Sequence, residues 1–162
     1  MQTSACSRNR PRWLGLSVIA LLVMVFPLSS FAALGGDASS VEADRAKMQA
    51  SLQTRETDSF TVHEIHSPSG TIVREYVSRS GQVFGVSWMG PFMPDMRQLL
   101  GTYFQQYVAE AKTAAGTSRG RKPFHIAQPN LVLQNSGHMR FYSGKAYDPA
   151  LLPQGVTAND VR

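Results

Sequence analysis

The sequence predicts an α+β domain: an antiparallel sheet of about five or six strands packed on one long helix, with a shorter helix at the N-terminal side. Three observations carry this reading. Two Ser/Gly turn motifs eleven residues apart each precede a run of β-branched and aromatic residues. One long stretch, Pro94 to Lys112, repeats apolar residues at the helical period. Strand-like segments resume after it, so strands and helices are grouped rather than strictly alternating.

The elements follow in order. Ala33 to Gly36 reads as a flexible start. Asp37, Ser39 and Ser40 can each cap a helix, and Ser39 with Glu42 has capping-box spacing. Val41, Met48 and Leu52 give that helix a thin apolar stripe, so it is predicted from about Ser39 to Leu52. Ser67-Pro68-Ser69-Gly70 then recurs as Ser78-Arg79-Ser80-Gly81. These turns would join strands Phe60 to His66, Thr71 to Ser78 and Gln82 to Met89 into a meander. In the third strand Phe84, Val86 and Trp88 should share one face, opposite Val83, Gly85 and Ser87. Gly90-Pro91 breaks the sheet, and Pro94 can start a helix with Asp95 in its first turn. Met96, Leu99, Leu100, Tyr103, Phe104, Tyr107, Val108 and Ala111 form a wide stripe, with Arg97, Gln98, Gly101, Thr102, Gln105, Gln106 and Glu110 opposite. Further strands are expected at Phe124 to Gln128, Leu131 to Gln134 and His138 to Tyr142, the last two joined by Asn135-Ser136-Gly137. From about Pro149 the chain lacks a period and reads as an irregular strap pinned by Leu151, Leu152 and Val156. The order of elements is loosely cystatin-like.

The first 32 residues predict an address. Arg8, Arg10 and Arg12 precede an apolar run from Trp13 to Leu28, and Ser30-Phe31-Ala32 places small residues where a signal peptidase reads them. Cleavage is expected between Ala32 and Ala33. The run is shorter than the roughly 20 residues a spanning helix needs, so no stable membrane span is expected after removal. Residues 33–162 would then form a single domain of 130 residues. Removal takes three of the 16 basic residues and none of the 11 acidic ones, leaving a formal charge of +2. That weak excess gives no support to a nucleic-acid partner. The cluster Arg119-Gly120-Arg121-Lys122 reads as a solvated loop. Cys6 is the single cysteine and would leave with the leader, which excludes disulfides, cysteine–metal sites and a thiol nucleophile from the exported domain.

Several segments of the exported region carry a resemblance. Ala33-Leu34-Gly35-Gly36, Val73-Arg74-Glu75-Tyr76-Val77, Val83-Phe84-Gly85-Val86-Ser87-Trp88, Pro94-Asp95-Met96-Arg97-Gln98-Leu99-Leu100-Gly101 and Leu151-Leu152-Pro153-Gln154-Gly155-Val156 resemble an exported Gram-negative family, domain of unknown function 2844. The resemblance spans essentially all of residues 33–162. It implies an envelope or secreted protein and supplies no catalytic residues.

No motif assigns chemistry. Gly85 to Gly90 has one residue too many for a nucleophile elbow and lies in a strand. His63 and His66 would point to opposite faces of theirs, while zinc needs three or four convergent ligands. His125 and His138 could converge only through the fold. Met89, Met93 and Met96 are weak candidates for a copper site, because thioethers suit Cu(I), although Met96 also opens the helical stripe. Glu64, Glu75 and Asp95 could supply a carboxylate pair, but nothing in the sequence fixes their separation. Trp88, Tyr103, Phe104 and Tyr107 read as core before they read as a ligand groove. Gly116 and Gly120 lack the pattern of a phosphate loop. No cofactor is expected. The leading reading is a non-enzymatic periplasmic or secreted protein that binds another envelope or secreted protein. The alternatives are a hydrolase using a carboxylate and histidine, and a periplasmic soft-metal protein.

Overall fold

A computed structural model of the protein describes residues 34–117 and 123–162. The leader with Ala32 and Ala33, and the cluster Arg119 to Lys122, lie outside the described residues. The chain forms α1 (Ser40–Lys47), β1 (Ser51–Glu56), β2 (Phe60–His66), β3 (Ile72–Ser78), β4 (Val83–Gly90), α2 (Met96–Leu100), α3 (Phe104–Thr117), β5 (Phe124–Gln128), β6 (Leu131–His138) and β7 (Phe141–Tyr147). Gly101–Tyr103 is a 3-10 turn between α2 and α3, and Pro149–Leu151 is another after β7.

All seven strands pair antiparallel in one sheet, in the order β1-β2-β3-β4-β7-β6-β5. The expected five or six strands become seven because the first helix ends at Lys47 and the chain becomes β1. Gln49 takes a left-handed conformation (φ 49°) and turns the chain back. Leu52, expected on the helical stripe, sits opposite Ile65 and packs on the core. The rest of β1 is polar and exposed, so backbone pairing to β2 holds it more than burial does. The expected capping box is absent too: Ser39 makes no side-chain cap, and Glu42 pairs with Arg45 instead. Nor is the start flexible. The Leu34 amide bonds to Leu99, the Gly35 amide donates to the Val83 carbonyl, and Val83 returns a bond to Gly36.

Both Ser/Gly motifs form the same turn. The Gly70 amide closes on the Ser67 carbonyl and the Gly81 amide on Ser78, each at 2.9 Å. Both glycines have φ near 85° (87° and 84°), where a side chain would be strained. The third hairpin differs from expectation. β6 runs through Asn135, Ser136 and Gly137 to His138, and the reversal falls at Met139 and Arg140, where Arg140 takes φ 61°.

A bulge between β3 and β4 decides which side chains form the core. Tyr76 pairs with Gly85 and Val77 with Val83, so Phe84 is the extra residue. Phe84 therefore lies opposite Val86 and Trp88 instead of beside them. Val83, Val86 and Trp88 join Ile65, Val73, Leu131, Leu133 and Ala146 on the inner face, beneath the helices. Phe84 joins Val62, Tyr76 and Val161 on the outer face, beneath the strap. Leu151, Leu152 and Val156 pack against this second cluster.

The long helical segment covers the inner face, but it is not one helix. Gly101 (φ 49°) interrupts it, and α3 continues to Thr117. Met96, Leu99 and Leu100 are buried, and Tyr103, Phe104 and Tyr107 pack against the same core. Gln98, expected on the solvent side, is buried, and its amide donates to Asp44 of α1 at 2.7 Å. Asp95 is the N-cap rather than a first-turn residue, and its carboxylate accepts from the amides of Arg97 (2.9 Å) and Gln98 (3.3 Å). Asp95→Ala is expected to lower stability by about 1 kcal/mol, read as a drop in urea midpoint with unchanged slope. An unchanged midpoint would show that the cap contributes nothing.

Candidate functional site

The register places one residue from every strand in a single row across the outer face: Gln53, Glu64, Arg74, Ser87, Lys145, Gln134 and His125. All seven are polar or charged, whereas the corresponding positions of the inner face are mostly apolar. A polar face on an antiparallel sheet needs only water. Here the C-terminal strap lies against part of it.

The strap is held by backbone contacts. Lys145 Nζ donates to the carbonyls of Ala158 (2.6 Å) and Val161 (3.0 Å). The Tyr76 hydroxyl accepts from the Arg162 amide at 2.9 Å and donates to the Arg162 carbonyl. Val161 is fully buried, and its methyls fill the space a side chain at Gly85 would need. Asp148 ties the start of the strap to the helices. It caps the 3-10 turn through the Ala150 amide and accepts the Tyr103 hydroxyl at 2.5 Å. Burial and that carboxylate push the Tyr103 phenol up to about 12.

A cleft lies on each side of Arg162. One, of about 850 Å³, is bordered by residues of both charges, including Arg55, Asp58, Glu64 and Asp160. The other, of about 600 Å³, lies over Arg74, Ser87, Lys145, Gln134 and His125 and ends at Met89. No Asp or Glu lines the second cleft. Within the row, Arg74 Nε contacts Glu64 at 2.5 Å, and Glu64 contacts His66 Nε2 at 2.7 Å. Burial works to raise the Glu64 carboxyl, but these two partners outweigh it and hold it below the usual range. Lys145 has no carboxylate partner among the described residues; its bonds are to neutral carbonyls.

The candidates from sequence scatter. His63 faces the inner side, near Thr54 Oγ1 (3.1 Å), and burial lowers its pKa. His66 faces the outer side. His125 belongs to the polar row, while His138 stacks on Phe141 at the β6–β7 turn. Met96 is buried in the inner core, Met93 packs against that core, and Met89 is 40 % exposed on the outer face. The three methionines thus do not gather at one point. Among the described residues no group of three or more His, Cys, Asp or Glu is placed to hold a metal ion. Trp88 is core, and Tyr103, Phe104 and Tyr107 pack against the same core. Ser87 is 3 % exposed in mid-strand, with its hydroxyl 3.3 Å from that of Tyr76.

Glu64, Glu75 and Asp95 do not pair with one another. Glu75 is fully buried on the inner face, and its neighbour is Asp44 of α1, 1 % exposed. Burial raises the Glu75 carboxyl well above its usual range, and the Asp44 charge adds to this. Burial also raises Asp44, to about 6, against the pull of Gln98 and Lys47. Sequence missed this pair because α1 and β3 meet only in the fold. The polar row was equally invisible, since it needs six registers at once.

The fold and the cleft define an α+β protein with a helix-covered inner sheet face and a polar, strap-bound outer one. Residues 30–161 match the model of a family described as protein of unknown function, domain of unknown function 2844, and the chain belongs to that family. No curated protein matches the chain. No solved structure matches it. Among the described residues no helix is long and apolar enough to cross a membrane.

Proposed function

We propose that this chain is an exported, non-enzymatic binding protein of the bacterial envelope or its surroundings, and that it engages its partner through the outer sheet face. The observation that carries the reading is the polar row, which continues past the strap into an open cleft. A solvated sheet face needs no cleft, and pockets of a few hundred cubic ångströms with convergent polar groups are the usual form of a binding site. Export rests on the Arg8–Arg12 start, the apolar run to Leu28 and the small residues before Ala33.

The hydrolase alternative keeps one supporting contact, the Glu64–His66 pair, since a carboxylate can orient an imidazole as a general base. No hydroxyl bonds to His66 among the described residues, and Glu75 lies on the other side of the sheet. A hydrolase acting there would lose its activity in His66→Ala.

The binding reading is tested by site-specific photo-crosslinking. Placed at Ser136, beside the cleft, the crosslinker should yield a discrete adduct in an envelope fraction. Placed at Gln105, on the exposed side of α3, it should not. Equal adducts from both positions, or none from Ser136, would count against the outer face.

A further inference from the structure

We infer that the cleft that no Asp or Glu lines takes an anionic single-chain amphiphile, of which a fatty-acid carboxylate is the simplest form. The inference deepens the proposed binding function and rests on it. Its first support is charge. Arg74, Lys145 and Arg162 all border the cleft, and no Asp or Glu does. Arg74 shares its charge with Glu64, but Lys145 donates only to carbonyls. Neutral carbonyls orient an ammonium group without neutralising it, so the Lys145 charge remains available to an anion at the cleft floor. Ser143, the cross-strand neighbour of Met89, adds a hydroxyl donor on the same face.

The second support is the apolar half of the lining. Met89 and Pro123 border the cleft with their side chains at the surface, while Trp88 and Phe124, also at its border, turn their rings to the inner core. Along β7 the row position Lys145 is followed toward the turn by Ser143 and then Phe141, on the same face. Met89 and Phe141 are 40 % and 42 % exposed, so this end of the face presents apolar surface to solvent. A small inorganic anion would leave that surface uncovered, and a neutral hydrocarbon would leave Lys145 unpaired. A molecule with an anionic head and an apolar tail satisfies both ends. The neighbouring cleft sets Asp58, Glu64 and Asp160 against Arg55, Arg74 and Arg162 at its border, so it offers an anionic head group no comparable excess of positive charge.

The test is calorimetric titration of the protein, purified from the cells that produce it, with dodecanoate, dodecanol and acetate. Dodecanoate should bind saturably, dodecanol about tenfold more weakly, and acetate more weakly still. Lys145→Met should weaken dodecanoate by about tenfold. Because Lys145 also pins the strap, a second variant leaves those bonds in place. Ser136→Trp fills the cleft from its exposed border and should also abolish binding. Equal affinity for dodecanoate and dodecanol, or undiminished binding by Ser136→Trp, would overturn the assignment. If dodecanoate fails to bind while the Ser136 crosslinker still captures a partner, the amphiphile falls and the binding face stands. If both fail, both readings fall together.

Discussion

Exchanging Glu75 for glutamine is expected to stabilise the protein at pH 8 and to remove much of a fall in stability that the wild type shows as pH rises. Glu75 on β3 and Asp44 on α1 are both buried side by side, and among the described residues no other group donates a hydrogen bond to either Glu75 oxygen or to Asp44 Oδ2. A carboxylic acid kept protonated by burial can supply the missing donor; two carboxylates cannot. The folded state therefore holds protons more tightly than the unfolded chain. For an acid whose folded pKa lies above its unfolded one, the stabilisation is complete below the unfolded pKa and is lost as pH rises through the folded one. For Asp44 that window runs from 3.8 to about 6, and for Glu75 it begins at 4.5 and extends well upward. At 1.4 kcal/mol per unit, the Asp44 window alone corresponds to roughly 3 kcal/mol. His63, opposite Glu75 on β2, acts the other way, because its lowered pKa makes stability rise up to its usual titration near 6.5. Lys47 and Asp95 add fixed charges of opposite sign near Asp44. The decisive quantity is therefore the difference between the two proteins, which cancels most of the His63 effect. Urea midpoints of wild type and Glu75→Gln should diverge steadily above pH 5, with the variant higher. Parallel curves would show that the pair does not titrate in this range.

How far the sequence reveals such features depends on which physical signal each one leaves. The meander was legible because its turns need glycine at positive φ, and Gly70 and Gly81 stand eleven residues apart in matching motifs. The inner core was legible because the stripe from Met96 to Tyr107 has the helical period. β1 left no such mark. Ser51 to Glu56 buries little beyond part of Leu52, and pairing to β2 overrides its weak strand propensity. The β6–β7 turn misled for the opposite reason. Asn135-Ser136-Gly137 is a good local turn, but continuing β6 pairs it with Tyr142, Ser143 and Gly144, and that gain outweighs local preference. One bulge moved Phe84 to the other face, since alternation has a period of two and an inserted residue inverts it. The polar row and the Glu75–Asp44 pair belong to a further class. Their members look unremarkable one at a time and gain meaning only through register and helix docking.

Gly144→Ala should cause a large loss of stability for so conservative a change to the sheet. Gly144 lies on β7 directly between Trp88 of β4 and Asn135 of β6, facing the inner layer. A Cβ there would come within 2.4 Å of Trp88 Cζ2 and 2.6 Å of the Gln134 carbonyl oxygen. The indole cannot swing aside easily, because Trp88 is 3 % exposed and packed in the core. The carbonyl belongs to a paired strand and cannot move without disturbing β6. Overpacking at such a site costs about 3 kcal/mol, which corresponds to a fall in melting temperature of roughly 10 °C for a domain of this size. Gly85→Ala serves as the comparison. Its Cβ would meet Val161 Cγ2 at 3.0 Å, the free end of a strap side chain, so the neighbour can yield. That variant should lose about 1 kcal/mol. Combining Gly144→Ala with Trp88→Leu separates the two contacts. With the indole gone, Gly144→Ala should cost less than it does in the wild type and retain only the share due to the Gln134 carbonyl, a coupling that a double-mutant cycle reads directly. Should Gly144→Ala melt within about 2 °C of wild type, the close approach of Trp88 across β7 would be wrong, and with it the placement of the indole beneath the cleft.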